Sequence, residues 1–271
     1  MDLHELVALE PHGPDTYVGI GHAYPWGGLY GGHIVAQALR AAAHTVDPAF
    51  SVHSLRAYFI QRGDNAETVR YEVDRIRNGR SFVTRRVVAR QAVGAILNLE
   101  ASFQKVEDAP EISAVKFPLN LSQPDELEST TWSGFFDRRW VPSEQVPASD
   151  RDGVGRVAAW MRVTTPTGDD PLSHQCALAY ISDDLPTDAV FSSSPDARKA
   201  ADEGRAFSAS LDHTIWFHRP MRADQWHLFE MSCNAFVGGR GLSFGYVFAQ
   251  DGTHVATVAQ ETLVRWRTQS T

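Results

Sequence analysis

Polar and apolar positions along this chain follow two periodicities, and the same succession of periodicities occurs twice. After a short strand-like stretch at 16–21, apolar residues fall at Ile34, Val35, Ala38, Leu39 and Ala42, the spacing of a helical stripe. The other side of that helix is small too, with Ala36, Ala41 and Ala43, so a sheet can curl closely around it. Gly31 and Gly32 stand at its mouth. Four β-rich runs follow near 51–60, 67–77, 81–91 and 95–106, with Gly63–Asp64, Asn78–Gly79 and Gly94 as turn chemistry between them. Asn-Gly is the strongest hairpin signal of the three.

The second half repeats the order. Runs at 134–142 and 155–164 read as strands. A helix is expected over 171–183 (PLSHQCALAYISD), with Asp170 as its N-cap and Pro171 at its first position. Four more β-rich runs occupy about 206–217, 226–237, 241–250 and 254–266. Residues 81–106 echo 241–266, and HSLRAYFIQRGD (53–64) echoes SLDHTIWFHRPM (210–221). Between the halves, prolines, acids and serines replace the strand alternation. The expected fold is α+β, a helix and a long antiparallel sheet used twice. Its parts are an N-terminal module over 1–108, a linker over 109–130 and a C-terminal module over 131–271. Two copies of one module can hold a ligand site between them.

Charge and composition narrow the function. A formal net charge of −8 argues against a nucleic-acid partner, which needs a basic face. A small anionic ligand stays open, because a few local arginines can bind one. No apolar run is long enough to span a membrane. The N-terminal residues show no secretory pattern, and the final TQST matches no targeting address. With only Cys176 and Cys233, a disulfide framework is excluded, and a cytoplasmic protein with reduced thiols is expected.

Asp183 lies eleven residues after Leu172, close to three helical turns. A helix lasting that far points it the same way as the apolar stripe of Leu172, Cys176, Ala179 and Tyr180. Asp184 points elsewhere. An acid at a helix C-terminus is unfavourable by about 0.3–1 kcal/mol; the alternative is that both acids belong to a solvated loop before Leu185–Pro186. Gln260 shares a strand face with Ala256, Val258 and Val264, as a functional amide or as a satisfied core glutamine. Ser210 shares a face with Ser208, Asp212 and Thr214, a side that solvent explains equally well. SSSP (192–195) reads as a loop without a nucleophile elbow. GGRG (238–241) reads as a turn, and the histidines form no metal pattern.

Taken together and in order, GGLYGGHIVAQAL, HSLRAYFIQRGD, RNGRSFVTRRVVARQ and ASFQ in the first half, and ALAYISD, SLDHTIWFHRP and VATVAQE in the second, resemble the acyl-CoA thioesterase II family. The resemblance covers nearly the whole chain and implies a double hot dog fold, an antiparallel sheet wrapped around a central helix in each module. It also implies that a hydrolytic water is held by Asp183, Gln260 and, where the family has threonine, Ser210. Serine keeps the hydroxyl and lacks the methyl that stiffens the rotamer.

A thioester is electrophilic enough for water and a general base, so neither metal nor cofactor is expected. Backbone N–H groups at Gly31, Gly32 and His33 are candidate oxyanion donors. Asp183 as a nucleophile forming a mixed anhydride is the chemical alternative. Arg56, Arg62, Arg77, Arg80, Arg85 and Arg86 are available for the phosphates of an acyl-CoA. The competing classes are a hot-dog hydratase or dehydratase and a non-catalytic acyl-CoA-binding protein. Long edge strands point to a homo-oligomer.

Overall fold

The computed structural model describes residues 2–146 and 155–266; the terminal TQST lies outside them. In chain order the elements are α1 (Leu3–Leu6), β1 (Glu10–Pro11), β2 (Thr16–Ile20), α2 (Gly31–Ala43), β3 (Phe50–Phe59), β4 (Thr68–Asn78), β5 (Phe82–Gln91), β6 (Gly94–Lys105), β7 (Phe136–Trp140), β8 (Arg156–Val163), α3 (Pro171–Ile181), α4 (Pro186–Ser192), α5 (Pro195–Asp202), β9 (Ala206–Ser210), β10 (Asp212–Phe217), β11 (His227–Val237), β12 (Arg240–Ala249) and β13 (His254–Trp266).

The strands form one sheet in the order β1-β2-β4-β5-β6-β3-β10-β13-β12-β11-β8-β7, with β9 also on β13. The two halves meet at the β3–β10 pair, where Leu55 lies opposite Ile215 and Ala57 opposite His213. Pairing there satisfies two strand edges that would otherwise be left open. The small residues of α2 explain how tightly the sheet holds it: Val35, Ala36, Ala38, Leu39, Ala41 and Ala42 are fully buried, packed on β3–β6 and on α3. Helix α3 is buried all round from Cys176 to Ile181. Asp170 caps it as expected, accepting the Leu172 N–H at 3.2 Å.

Arg85 is fully buried. It donates to the Thr45 hydroxyl and carbonyl, the Arg77 and Thr84 carbonyls and Asn78 Oδ1, at 2.7–3.0 Å. The cation sits just beyond the carbonyl end of α2, where the helix dipole favours it. It is therefore engaged in the fold and is removed from the candidate phosphate binders.

Four details differ from the sequence reading. Helix α3 stops at Ile181 with Ser182 as its C-cap, so Asp183 follows the helix instead of ending it. The run 206–217 is two strands. Ser210 pairs with Thr262, Thr214 pairs with Ala259, and the register slips across Leu211. Residues 186–202 fold as α4 and α5, each opening on a proline, a start signal that the hydrophilic SSSP obscures; Ser194 caps α5. The expected linker also packs. Leu121 is buried with Trp160, Leu228 and Phe248, and Val115, Phe117 and Leu127 lie against them. This segment thus covers a face of the sheet.

Candidate active site

The carbonyl end of α3 and the amide end of α2 converge on one carboxylate. They come this close because Gly31 and Gly32 carry no side chain. A Cβ on Gly32 would lie 2.2 Å from the Tyr180 carbonyl oxygen, and one on Gly31 would lie 2.6 Å from Asp183 Oδ2. The Tyr30 hydroxyl donates to the same Tyr180 carbonyl at 3.0 Å, tying the two helices together.

Asp183 is 6% exposed, and each of its oxygens accepts a hydrogen bond. Oδ2 accepts from the Gly32 N–H at 2.8 Å and Oδ1 from the Ser210 hydroxyl at 2.8 Å. Ser210 Oγ in turn accepts from Gln260 Nε2 at 2.9 Å. The acid, hydroxyl and amide singled out in the sequence therefore meet at one point, from the end of a helix and two strands.

Burial pushes the Asp183 carboxyl up from 3.8 to about 7, and the charge of Asp184 adds to this. Hydrogen bonds from Ser210, Gly32 and Gln260 pull the other way but do not cancel the loss of water. Asp184 faces a different environment. It is ion-paired with Arg138 and accepts from Trp132 Nε1 at 2.6 Å. Two neighbouring carboxylates are thus differentiated, one paired with a cation and one held only by neutral donors.

The helix mouth is used otherwise than expected. The Gly32 N–H is committed to Asp183, and the His33 N–H donates to the Tyr30 carbonyl. Neither is an available oxyanion donor, and both are corrected; Gly31 N–H is the donor left. The His33 ring points away, with Nε2 donating to the Leu6 carbonyl at 2.8 Å. Burial lowers its pKa to about 4, so it stays neutral.

Sequence reasoning missed an aromatic wall beside the acids. The Trp132 ring lies 5.2 Å from Tyr24, 5.8 Å from Trp26 and 5.0 Å from Tyr30, edge-on in each case, a favoured arrangement. Burial and then the charges of Asp183 and Asp184 push the Tyr24 hydroxyl pKa up. Trp26 is 63% exposed, so the wall reaches solvent. No local pattern links residues 24–30 to residue 132. Among the arginines, Arg62 donates to the Trp26 carbonyl at 2.9 Å, Arg56 reaches Thr214 Oγ1 at 3.4 Å, Arg86 pairs with Asp74, and Arg77 and Arg80 are exposed. A shallow hollow bounded by Arg162, Thr165, Arg222 and Asp224 includes none of the candidate residues; its Arg222 is already paired with Asp169 and Asp224. Among the described residues no group of histidines, cysteines and acids is arranged to hold a metal, and no helix is long and apolar enough to cross a membrane.

A helix-wrapping antiparallel sheet, doubled in one chain and with a buried acid at the helix junction, defines a double hot dog protein. The chain belongs to the acyl-CoA thioesterase family, hydrolases of thioester bonds: the family's N-terminal domain matches residues 22–104 and its C-terminal domain residues 107–264. It is 33% identical to acyl-coenzyme A thioesterase 8 of Mus musculus, over 97% of this chain and 89% of that protein. The crystal structure of the acyl-CoA thioesterase II TesB2 from Mycobacterium marinum matches with a TM-score of 0.86 at 34% identity, covering 99% of each chain. A hot dog fold protein from Alicyclobacillus acidocaldarius, at 18% identity, shares the fold with a TM-score of 0.80 over 98% of each chain.

Proposed function

We propose that this enzyme hydrolyses fatty acyl-CoA to free fatty acid and CoA with Asp183 as general base. The observation that carries the reading is the pair of hydrogen bonds joining Asp183, Ser210 and Gln260. A carboxyl with a pKa of about 7 is matched to proton abstraction near neutrality. Ser210 and Gln260 orient the attacking water, and Asp183 takes its proton. The oxyanion that forms on the thioester carbonyl faces the Gly31 N–H at the positive end of α2. Protonated Asp183 then returns the proton to the leaving thiolate. The acyl chain lies along the aromatic wall of Tyr24, Trp26, Tyr30 and Trp132, and exposed arginines hold the phosphates.

Asp212 and His213 do not form the acid–base pair that a hydratase would draw from them. Asp212 is engaged with the Glu261 N–H at 2.6 Å, while His213 faces Gln260. The same reading takes the protein as two modules, 1–108 and 131–271, acting in fatty-acid metabolism in the cytoplasm and self-associating through sheet edges. Its test is release of free CoA, followed with a thiol reagent, across acyl-CoAs of graded chain length. Turnover that depends on chain length supports it. Tight binding of every acyl-CoA with no thiol released overturns it in favour of a binding protein.

A further inference from the structure

His213 is a polar side chain that this mechanism leaves unused, and it, Ser182 and Gln260 are fully buried. His213 Nε2 lies 2.9 Å from Ser182 Oγ, and Nδ1 lies 2.5 Å from Gln260 Oε1. Among the described residues no carboxylate is hydrogen-bonded or ion-paired to the ring, and burial keeps it neutral with a pKa of about 4.

The proton positions follow from what each group can do. Ionised Asp183 only accepts, so Ser210 donates to it. Ser210 Oγ then accepts, and Gln260 must present its NH2. That turns the amide oxygen toward His213, so Nδ1 carries the ring's single proton and Nε2 accepts from Ser182. If the amide were turned over, its oxygen would take the Ser210 proton and Asp183 would lose its hydroxyl donor. Ser210 and His213 are an odd number of positions apart and would face opposite sides of an unbroken strand. The slip at Leu211 brings both onto the one amide.

We infer that His213, held by Ser182, is a positioning residue: it fixes which end of the Gln260 amide meets Ser210 and so keeps the Ser210 hydroxyl on Asp183. This rests on the reading of Asp183, Ser210 and Gln260 as the hydrolytic site.

Nitrogen-15 NMR of histidine-labelled protein reads the ring proton directly. It is expected on Nδ1; a proton on Nε2 overturns the inference whatever any variant does. His213→Leu removes the donor, and kcat is expected to fall by up to about tenfold, no further than in Ser210→Ala, with KM little changed. Its acid limb should move to higher pH, because Asp183 loses a donor to its charged form. His213→Asn keeps an N–H near the Nδ1 position and should recover most of kcat. A folded His213→Leu protein with wild-type kcat and pH limb overturns the inference. Asp183→Asn, assayed alongside, separates the two readings. If it retains activity, the hydrolytic site itself is misassigned. If it is inactive while His213→Leu is fully active, only the positioning role falls.

Discussion

Replacing Asp183 by Asn separates the carboxylate's chemistry from its cost to the fold. The group is 6% exposed, and burial raises its pKa from 3.8 to about 7. The folded protein therefore binds this proton more tightly than the unfolded chain does. The sign follows from linkage: the stabilisation from that proton is full below about pH 4 and is lost as pH rises toward 7. At about 1.4 kcal/mol per pKa unit, the loss amounts to at most roughly 4 kcal/mol. Asparagine stays neutral throughout. Its oxygen can still accept the Gly32 N–H, and its NH2 can donate to Ser210 Oγ. The stability of Asp183→Asn relative to wild type should therefore grow by roughly 3–4 kcal/mol between pH 4 and pH 8, measured by urea denaturation of both proteins at each pH. Its kcat should drop by roughly a hundredfold or more, while wild-type kcat falls as pH drops below about 7. A stability difference that stays constant across this range would refute the argument that burial holds the proton on Asp183.

Ser210→Ala removes a donor to the Asp183 carboxylate, so kcat should fall by about tenfold and its acid limb should move to higher pH. Ser210→Thr keeps the hydroxyl and should retain both; equal activity in all three proteins would reduce the hydroxyl to scaffolding. Gly32→Ala sets a Cβ 2.2 Å from the Tyr180 carbonyl, forcing α2 off α3 and its N–H off Asp183. About 2–3 kcal/mol of stability should be lost, seen as a lower denaturation midpoint, together with most activity. A fully stable, active Gly32→Ala protein would show that the helix junction does not hold the acid.

Much of the fold was legible because it rests on local periodicity. The alanine-rich pattern after Gly32 has one solution, a helix buried on nearly all sides, and the turn residues between the apolar runs fix where strands end. Asp170–Pro171 announced α3. The starts of α4 and α5 carried the same proline signal, but the serines around them favoured a loop reading. The break at Leu211 was invisible, since a register slip changes no residue's propensity and only reverses which face the following residues occupy.

The site was legible only in part, and the division has a physical cause. Residue type and order determine that this chain holds an acid after a helix, a hydroxyl and an amide on strands, and two glycines at a helix mouth. Which of those groups touch is decided by contacts between residues 30 and 180, or 182 and 213, that no window of sequence spans. The approach of α2 to α3 gives Asp183 the Gly32 N–H. The slip in register turns Ser210 and His213 onto Gln260. The exclusion of water by the packing around Asp183 sets the carboxyl's pKa. Hydrogen bonding and desolvation depend on distance in space, and only the packed tertiary structure sets those distances.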